Sequence, residues 1–101
     1  MAELIWTDES RMWLREIRDH IAKDNPAAAD RTVEGIYDKA QLLKTFPELG
    51  FEYPVPGRDD VRVLIYGHYR IAYTFDDSNV VTVLGIFHAA LDIDRFFPKL
   101  D

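Results

Sequence analysis

The 101-residue sequence contains no cysteine, and this absence excludes several kinds of chemistry at once. Disulfide bonds, thiol catalysis and cysteine metal sites are ruled out, and the composition fits a reducing compartment. The three histidines show neither H-x-H nor H-x-x-x-H spacing, so the sequence predicts no metal site. Phosphate-binding loops and hydrolase elbows are missing as well, because G-x-x-x-x-G-K, G-x-G-x-x-G and G-x-S-x-G do not occur. We therefore expect no cofactor.

Long apolar runs are also missing. The N-terminal segment is interrupted by Glu3 before a signal-peptide core can form. The longest apolar stretch, residues 79–90, contains Thr82, Gly85 and His88 and is shorter than a membrane span. We expect a soluble protein in the cytoplasm with no membrane partner. The length and the 48% apolar composition fit a single domain, residues 1–101, with one core.

Positive charge is in short supply. Twelve basic residues face eighteen acidic ones, which gives a net charge of -6. Residues 1–50 hold 7 basic and 10 acidic side chains, and residues 51–101 hold 5 and 8, so no basic half is hidden in the total. Affinity for nucleic acid comes mostly from Lys and Arg on phosphates. The composition therefore argues against a protein that binds RNA or DNA by charge alone.

Two amphipathic helices are indicated in the first half of the chain. Thr7 or Asp8 is suited to begin the first helix, and Asn25 and Pro26 are suited to cap and begin the second. The short break between them predicts a helical hairpin. The apolar residues that recur at helical spacing are Trp13, Leu14, Ile17 and Ile21, then Ala29, Val33, Ile36, Ala40 and Leu43.

Strand patterns surround this hairpin. A short β segment at 2–6 precedes the helices, and runs at 61–66, 69–75 and 80–88 follow a predicted loop at 51–60. Gly67 and His68 suit a two-residue hairpin turn, and 92–98 suits a short terminal helix or turn. The predicted fold is α+β with two layers in β-α-α-β-β-β order. The helical hairpin packs on one face of an antiparallel meander.

Arg62 and Arg70 are the first candidate site residues. If the helices cover the Ile71 face of the meander, alternation predicts that both arginines point to the open face. They would recognise an anion there, such as a phosphate, a carboxylate or an acidic partner segment. The alternative is a solvated charge paired with Asp59 or Asp60.

A histidine and a basic helix stripe are further candidates. His88 ends the last strand and is either structural or a proton-transfer residue near Arg70. Arg11, Arg15 and Arg18 recur at i, i+4 and i+7 on the first helix. That stripe is either a solvated, salt-bridged face or a contact surface for an acidic partner.

Aromatic residues make up 13% of the chain, which is many for one small core. Most of them must be buried. Those around residues 46–53 and at 96–97 are predicted to remain at the surface and to mark a protein-binding site. The residues of this predicted site are Phe51, Tyr53, Phe96 and Phe97.

Over residues 3–97 the sequence resembles the RelE/ParE family of toxins from bacterial type II toxin–antitoxin systems. The resemblance depends on an ordered set of features and on no single motif. The features are the strand ending in Trp6, the break at Asn25-Pro26, and the runs FPELG (46–50), VRVL (61–64), YRIAY (69–73) and VLGIFHA (83–89).

This resemblance implies a compact toxin that is neutralised by an antitoxin encoded beside it. The RelE-like branch of the family cuts mRNA on the ribosome with a set of basic residues, and the ParE-like branch inhibits DNA gyrase. Arg70 matches the strand arginine of both branches, and His88 falls where some of the nucleases carry a histidine. Together with Arg62 they would form a minimal acid–base set.

Other positions depart from the nuclease pattern. Ala89 stands where nucleases often carry a basic residue or tyrosine, and Arg58 is the one basic residue in 51–60. The ParE-like interpretation is therefore favoured: a toxin that is not itself an enzyme, binds gyrase and forms a hetero-oligomer with its antitoxin. The alternatives are a ribosome-dependent mRNA endoribonuclease and a degenerate family member without toxicity.

Overall fold

The computed structural model describes residues 1–89 and contains one mixed sheet and a helical hairpin. The elements are β1 (Glu3–Trp6), α1 (Asp8–Ala22), α2 (Pro26–Gln41), a 3-10 turn (Leu42–Lys44), β2 (Phe51–Glu52), β3 (Val61–Tyr66), β4 (Tyr69–Phe75) and β5 (Val80–His88). The sheet order is β1-β5-β4-β3-β2, with β1 parallel to β5 and the other neighbours antiparallel. The predicted terminal helix or turn at 92–98 lies outside the described residues.

The predicted α+β fold with a helical hairpin on a sheet is confirmed, with one correction to the loop at 51–60. That segment begins with the short strand β2, in which Phe51 pairs with Val63 and Glu52 pairs with Arg62. Pro54 ends the strand because proline cannot donate a ladder hydrogen bond. The strand was missed because two residues are too few for a periodic pattern.

Both helices begin at the predicted caps. The Thr7 hydroxyl accepts from the Ser10 amide at 3.0 Å and donates to the Val83 carbonyl at 2.8 Å, so it caps α1 and fixes it to β5. The Asn25 side chain accepts from the Ala28 amide at 3.1 Å and caps α2. These contacts satisfy amides that lack partners within a helix.

The core lies between the hairpin and one face of the sheet, which we call the helix face. The opposite side is the open face. The Tyr66 ring lies so close to Gly35 of α2 that a Cβ atom at Gly35 would clash with it. Buried residues that join the two layers are Trp13, Ile17, Ile36, Ala40, Leu43, Leu64, Ile71, Tyr73, Val81, Val83 and Ile86.

A β-bulge in β5 changes which of its side chains face this core. Ala72 pairs with Gly85, but Tyr73 pairs with Val83, so Leu84 is an extra residue in the ladder. Side chains alternate between the two faces of a strand. The extra residue therefore reverses the alternation, and Val83 is fully buried on the helix face.

Candidate functional site

Arg62 and Arg70 lie on opposite faces of the sheet, so the prediction that they share the open face is wrong. Arg62 pairs directly with Tyr73, whereas Arg70 pairs with Ile65. Directly paired residues of antiparallel strands project to the same face, so Arg62 lies on the helix face and Arg70 on the open face. The cause is the tight turn, which pairs Tyr66 with Tyr69 and thereby fixes the register of β3.

The Arg62 side chain joins β3 to the preceding loop. Its Nη1 donates to the Gly50 carbonyl at 2.8 Å and to the Glu48 carbonyl at 3.3 Å. Its Nη2 lies 3.5 Å from the Glu52 carboxylate, and the side chain is 23% exposed. The predicted pairing with Asp59 or Asp60 is therefore wrong.

Asp60 pairs with Arg58 instead, two residues earlier in the loop. Arg58 Nη2 lies 2.8 Å from Asp60 Oδ2, and Arg58 Nε donates to Oδ1 at 2.9 Å. The hydrogen bonds from this guanidinium lower the pKa of Asp60. Asp60 is thus paired within its own loop and not with Arg62.

Arg62 also lies in an acidic cavity of about 250 Å³ at the edge of the helix face. A phosphate placed there would face many more carboxylates than cations, and like charges repel at short range. The cavity therefore disfavours the phosphate recognition predicted for Arg62. Its lining residues are Glu48, Glu52, Asp59, Asp60, Arg62, Phe75, Asp76 and Asp77.

The Tyr73 hydroxyl binds the backbone of the loop at 47–50. It donates to the Pro47 carbonyl at 2.8 Å and accepts from the Gly50 amide at 2.9 Å, and Tyr73 is fully buried. Burial raises the pKa of Tyr73. A Cβ atom at Gly50 would clash with the Tyr73 ring and the Val63 carbonyl, which explains glycine there. A buried tyrosine needs a hydrogen-bond partner, and the hydroxyl of Tyr73 has two in this loop.

Arg70 folds back onto the turn that precedes it. Its Nη1 donates to the Gly67 and Tyr69 carbonyls, both at 3.0 Å. Its cross-strand neighbours are Ile65 on β3 and Phe87 on β5. Of the two predicted anion-binding residues, Arg62 and Arg70, only Arg70 therefore lies on the open face.

His88 is directed away from Arg70. It pairs with Tyr69, whereas Arg70 pairs with Phe87, so the two side chains project to opposite faces. The His88 ring stacks on His68 with centroids 5.8 Å apart and meets the Tyr69 ring edge-on at 5.7 Å. The structure therefore does not assemble the predicted proton-transfer pair. Within residues 1–89, no group of three or more His, Asp or Glu side chains could hold a metal ion.

The basic stripe of α1 is divided between different environments. Arg11 lies 3.5 Å from Asp8, and Arg18 Nε lies 3.1 Å from Asp30 on α2. Arg15 makes no ion pair with any described residue. These contacts agree with the salt-bridged alternative for Arg11 and Arg18, while a partner-binding role for the stripe remains a prediction.

Exposed apolar side chains cluster after α2, close to the predicted aromatic surface. Phe51 is 48% exposed and Tyr53 is half-buried, while Phe96 and Phe97 lie outside the described residues. Ile65 is also 48% exposed, although it lies on the same face of β3 as the buried Val61 and Val63. The other exposed members near this region are Leu42, Phe46 and Leu49.

Comparisons with known proteins agree with this architecture. One solved structure is described as a chromosomal ParDE toxin–antitoxin system from P. aeruginosa. It matches with a TM-score of 0.73 and 22% identity, covering 87% of this chain and 96% of that one. The RelBE2 toxin–antitoxin complex from Mycobacterium tuberculosis matches with a TM-score of 0.62 and 20% identity, covering 86% and 90%. At these identities the two structures show the shared fold.

The search of curated protein sequences gives no significant match. In the part of the chain that the structure describes, no helix has the length and apolar character to cross a membrane. The family model for the ParE toxin of the type II toxin–antitoxin system parDE matches residues 4–93. This match covers most of the sequence and includes every described strand and helix apart from the first residue of β1. The chain therefore belongs to the ParE toxin family.

Proposed function

We propose that this chain acts in the cytoplasm as a toxin that inhibits DNA gyrase by binding it, and that a cognate antitoxin neutralises it in a hetero-oligomer. The observation that carries the proposal is the separation of the three candidate catalytic side chains. Arg70 projects from the open face, and Arg62 and His88 from the helix face. A nuclease needs its cation and its proton donor around one scissile phosphate.

Distance separates the two residues that do share a face. Arg62 pairs with Tyr73, and His88 pairs with Tyr69, four residues away along β4. At roughly 3.4 Å per residue, their backbones are about 14 Å apart along the strand direction. Arg62 also lies in the acidic cavity. These observations favour a toxin that works by binding a protein over one that cleaves RNA.

The antitoxin partner is supported by the comparisons and by the surface. The two solved structures with the same fold are described as a toxin–antitoxin system and a toxin–antitoxin complex. The chain also exposes Leu42, Phe46, Leu49 and Phe51 within ten residues. Neighbouring exposed apolar side chains are typical of protein interaction sites.

A supercoiling assay with purified gyrase tests the proposal. The chain should inhibit the ATP-dependent supercoiling of relaxed plasmid, or convert plasmid to cleaved DNA in a gyrase-dependent manner. Equimolar antitoxin, expressed from the reading frame beside the gene, should restore activity. Unchanged gyrase activity at a large excess of the chain would contradict the proposed target.

A matched assay tests the nuclease alternative. Translating ribosomes are programmed with a defined message and incubated with the wild-type chain, Arg70→Ala or His88→Ala. We expect an intact message in every case. Cleavage by the wild-type chain that both substitutions abolish would establish the ribosome-dependent nuclease instead.

A further inference from the structure

The open face carries an apolar patch beside a single cation. Phe51 pairs with Val63, and two residues further along β3, Ile65 pairs with Arg70. Paired residues in antiparallel strands have Cβ atoms about 4.5–5.5 Å apart and share a face. Val63 is buried in this patch, while Phe51 and Ile65 are each 48% exposed. The register therefore places the two exposed side chains and Arg70 in one contiguous surface.

Arg70 is the one charged residue that β2 to β5 place on this face. The open-face positions of these strands follow from the register and the alternation of side chains. No carboxylate is among them, in contrast to the acidic lining of the cavity at the edge of the helix face. These positions are Phe51, Val61, Val63, Ile65, Arg70, Ala72, Thr74, Val80, Thr82, Gly85 and Phe87.

Two backbone carbonyls orient the guanidinium of Arg70 but accept hydrogen bonds from only one of its nitrogens. The Gly67 and Tyr69 carbonyls accept hydrogen bonds from Nη1. A guanidinium has five N–H donors, and its planar fork matches a carboxylate. No carboxylate in residues 1–89 lies within ion-pair distance of Arg70. Within the described part of the chain, the donors on Nε and Nη2 have no acceptor, and the two carbonyls hold the group in place before binding.

We propose that Phe51, Ile65 and Arg70 form a docking site for a segment of the antitoxin in which a carboxylate side chain is flanked by apolar side chains. The carboxylate pairs with Arg70, and the apolar side chains cover Phe51 and Ile65. Charge complementarity selects this occupant, because Arg70 is the only charge on the patch. One cation beside two apolar side chains is a poor phosphate-backbone site, since nucleic-acid affinity depends on many such contacts.

This inference rests on the proposed antitoxin partner, and a binding experiment separates the two. The dissociation constant of the antitoxin encoded beside the gene is measured by calorimetry against the full chain. Arg70→Ala should weaken binding by about tenfold to a hundredfold, the range for losing a hydrogen bond to a charged group. Ile65→Ser should weaken it as well. Arg31→Ala on α2 serves as the matched control, because Arg31 is exposed and lies outside both predicted contact surfaces, and it should leave affinity within about twofold of wild type.

Circular dichroism and a thermal melt establish that each variant is folded. If Arg70→Ala does not fold, Arg70→Gln replaces it, because this variant keeps a polar side chain with N–H donors and removes the charge. Wild-type chain that does not bind the antitoxin would overturn the proposed function and the docking site together. Binding that both open-face variants retain would overturn the docking site alone. Tighter binding of the wild-type chain to a single-stranded RNA oligomer than to antitoxin, with the RNA binding lost in Arg70→Gln, would also overturn it.

Discussion

Removing the Tyr73 hydroxyl tests how the loop at 47–50 is held. Tyr73→Phe deletes the donor to the Pro47 carbonyl and the acceptor of the Gly50 amide, both at a fully buried residue. Each hydrogen bond contributes about 0.5–1.5 kcal/mol, and a buried group left unsatisfied costs about 1–3 kcal/mol. The Gly50 amide is buried, whereas the Pro47 carbonyl is partly exposed and can turn to water. We therefore expect a loss of about 2–3 kcal/mol in the free energy of unfolding.

Urea unfolding of wild type and Tyr73→Phe measures this loss. An unchanged slope with urea identifies a change in stability and not in the extent of unfolding. Tyr37→Phe is the matched control, because Tyr37 is 49% exposed, stacks on Trp6, and makes no hydrogen bond through its hydroxyl with any of residues 1–89. The control should change the free energy of unfolding by less than about 0.5 kcal/mol. A loss below about 1 kcal/mol for Tyr73→Phe would refute the reasoning.

Alkaline pH should diminish the contribution of the Tyr73 hydroxyl to the free energy of unfolding. Burial raises the pKa of Tyr73 above the ordinary value of 10.0. As pH rises past about 10, the unfolded chain releases this proton while the folded chain keeps it, so the stability of the wild type falls. Tyr73→Phe has no such proton. The difference in stability between the two proteins should therefore narrow above about pH 10, and a difference that widens would contradict this linkage.

Substitutions at three further positions test individual contacts by urea unfolding. Thr7→Ala should lower the free energy of unfolding by about 1–2 kcal/mol through the lost cap and the lost bond to Val83, and Thr7→Ser should retain most of it. Gly35→Ala should lower it by about 1–3 kcal/mol, because overpacking against Tyr66 outweighs the gain of about 1 kcal/mol in helix propensity. A gain would refute that clash. Arg18→Ala should cost less than about 1 kcal/mol, since its ion pair is exposed.

Local signals predicted the helices and the main strands. Asn25 and Pro26 define a helix start through side-chain and ring chemistry that depends on neighbouring residues alone. Gly67 has a φ of 57°, the left-handed conformation expected of the first residue in this tight turn. Such features are encoded within a few residues, and a single sequence therefore suffices to identify them.

The faces of the strands depend on longer-range information. Alternation places Val61, Val63 and Ile65 together on one face of β3. It does not indicate which face of β3 packs against the helices. That choice follows from the pairing of Leu64 with Ile71, which is fixed by register. Arg62 and Arg70 were consequently assigned to one site although they lie on opposite faces.

The contacts of Arg62 could not be predicted from the sequence for a similar reason. Its main acceptors are the backbone carbonyls of Glu48 and Gly50, and carbonyls have no signature in a sequence. The bulge at Leu84 was equally hidden, because a run of apolar residues has no phase that could reveal an extra residue. Both features belong to the pairing of distant segments and not to local composition.

The superhelical density of a reporter plasmid, measured in cells that express the chain without its antitoxin, tests the central claim most directly. A gyrase-binding toxin predicts that the plasmid relaxes or is cleaved soon after induction, before growth stops. Co-expression of the antitoxin should prevent the change. Growth arrest with normal supercoiling and intact plasmid would contradict gyrase as the target of this ParE-family toxin.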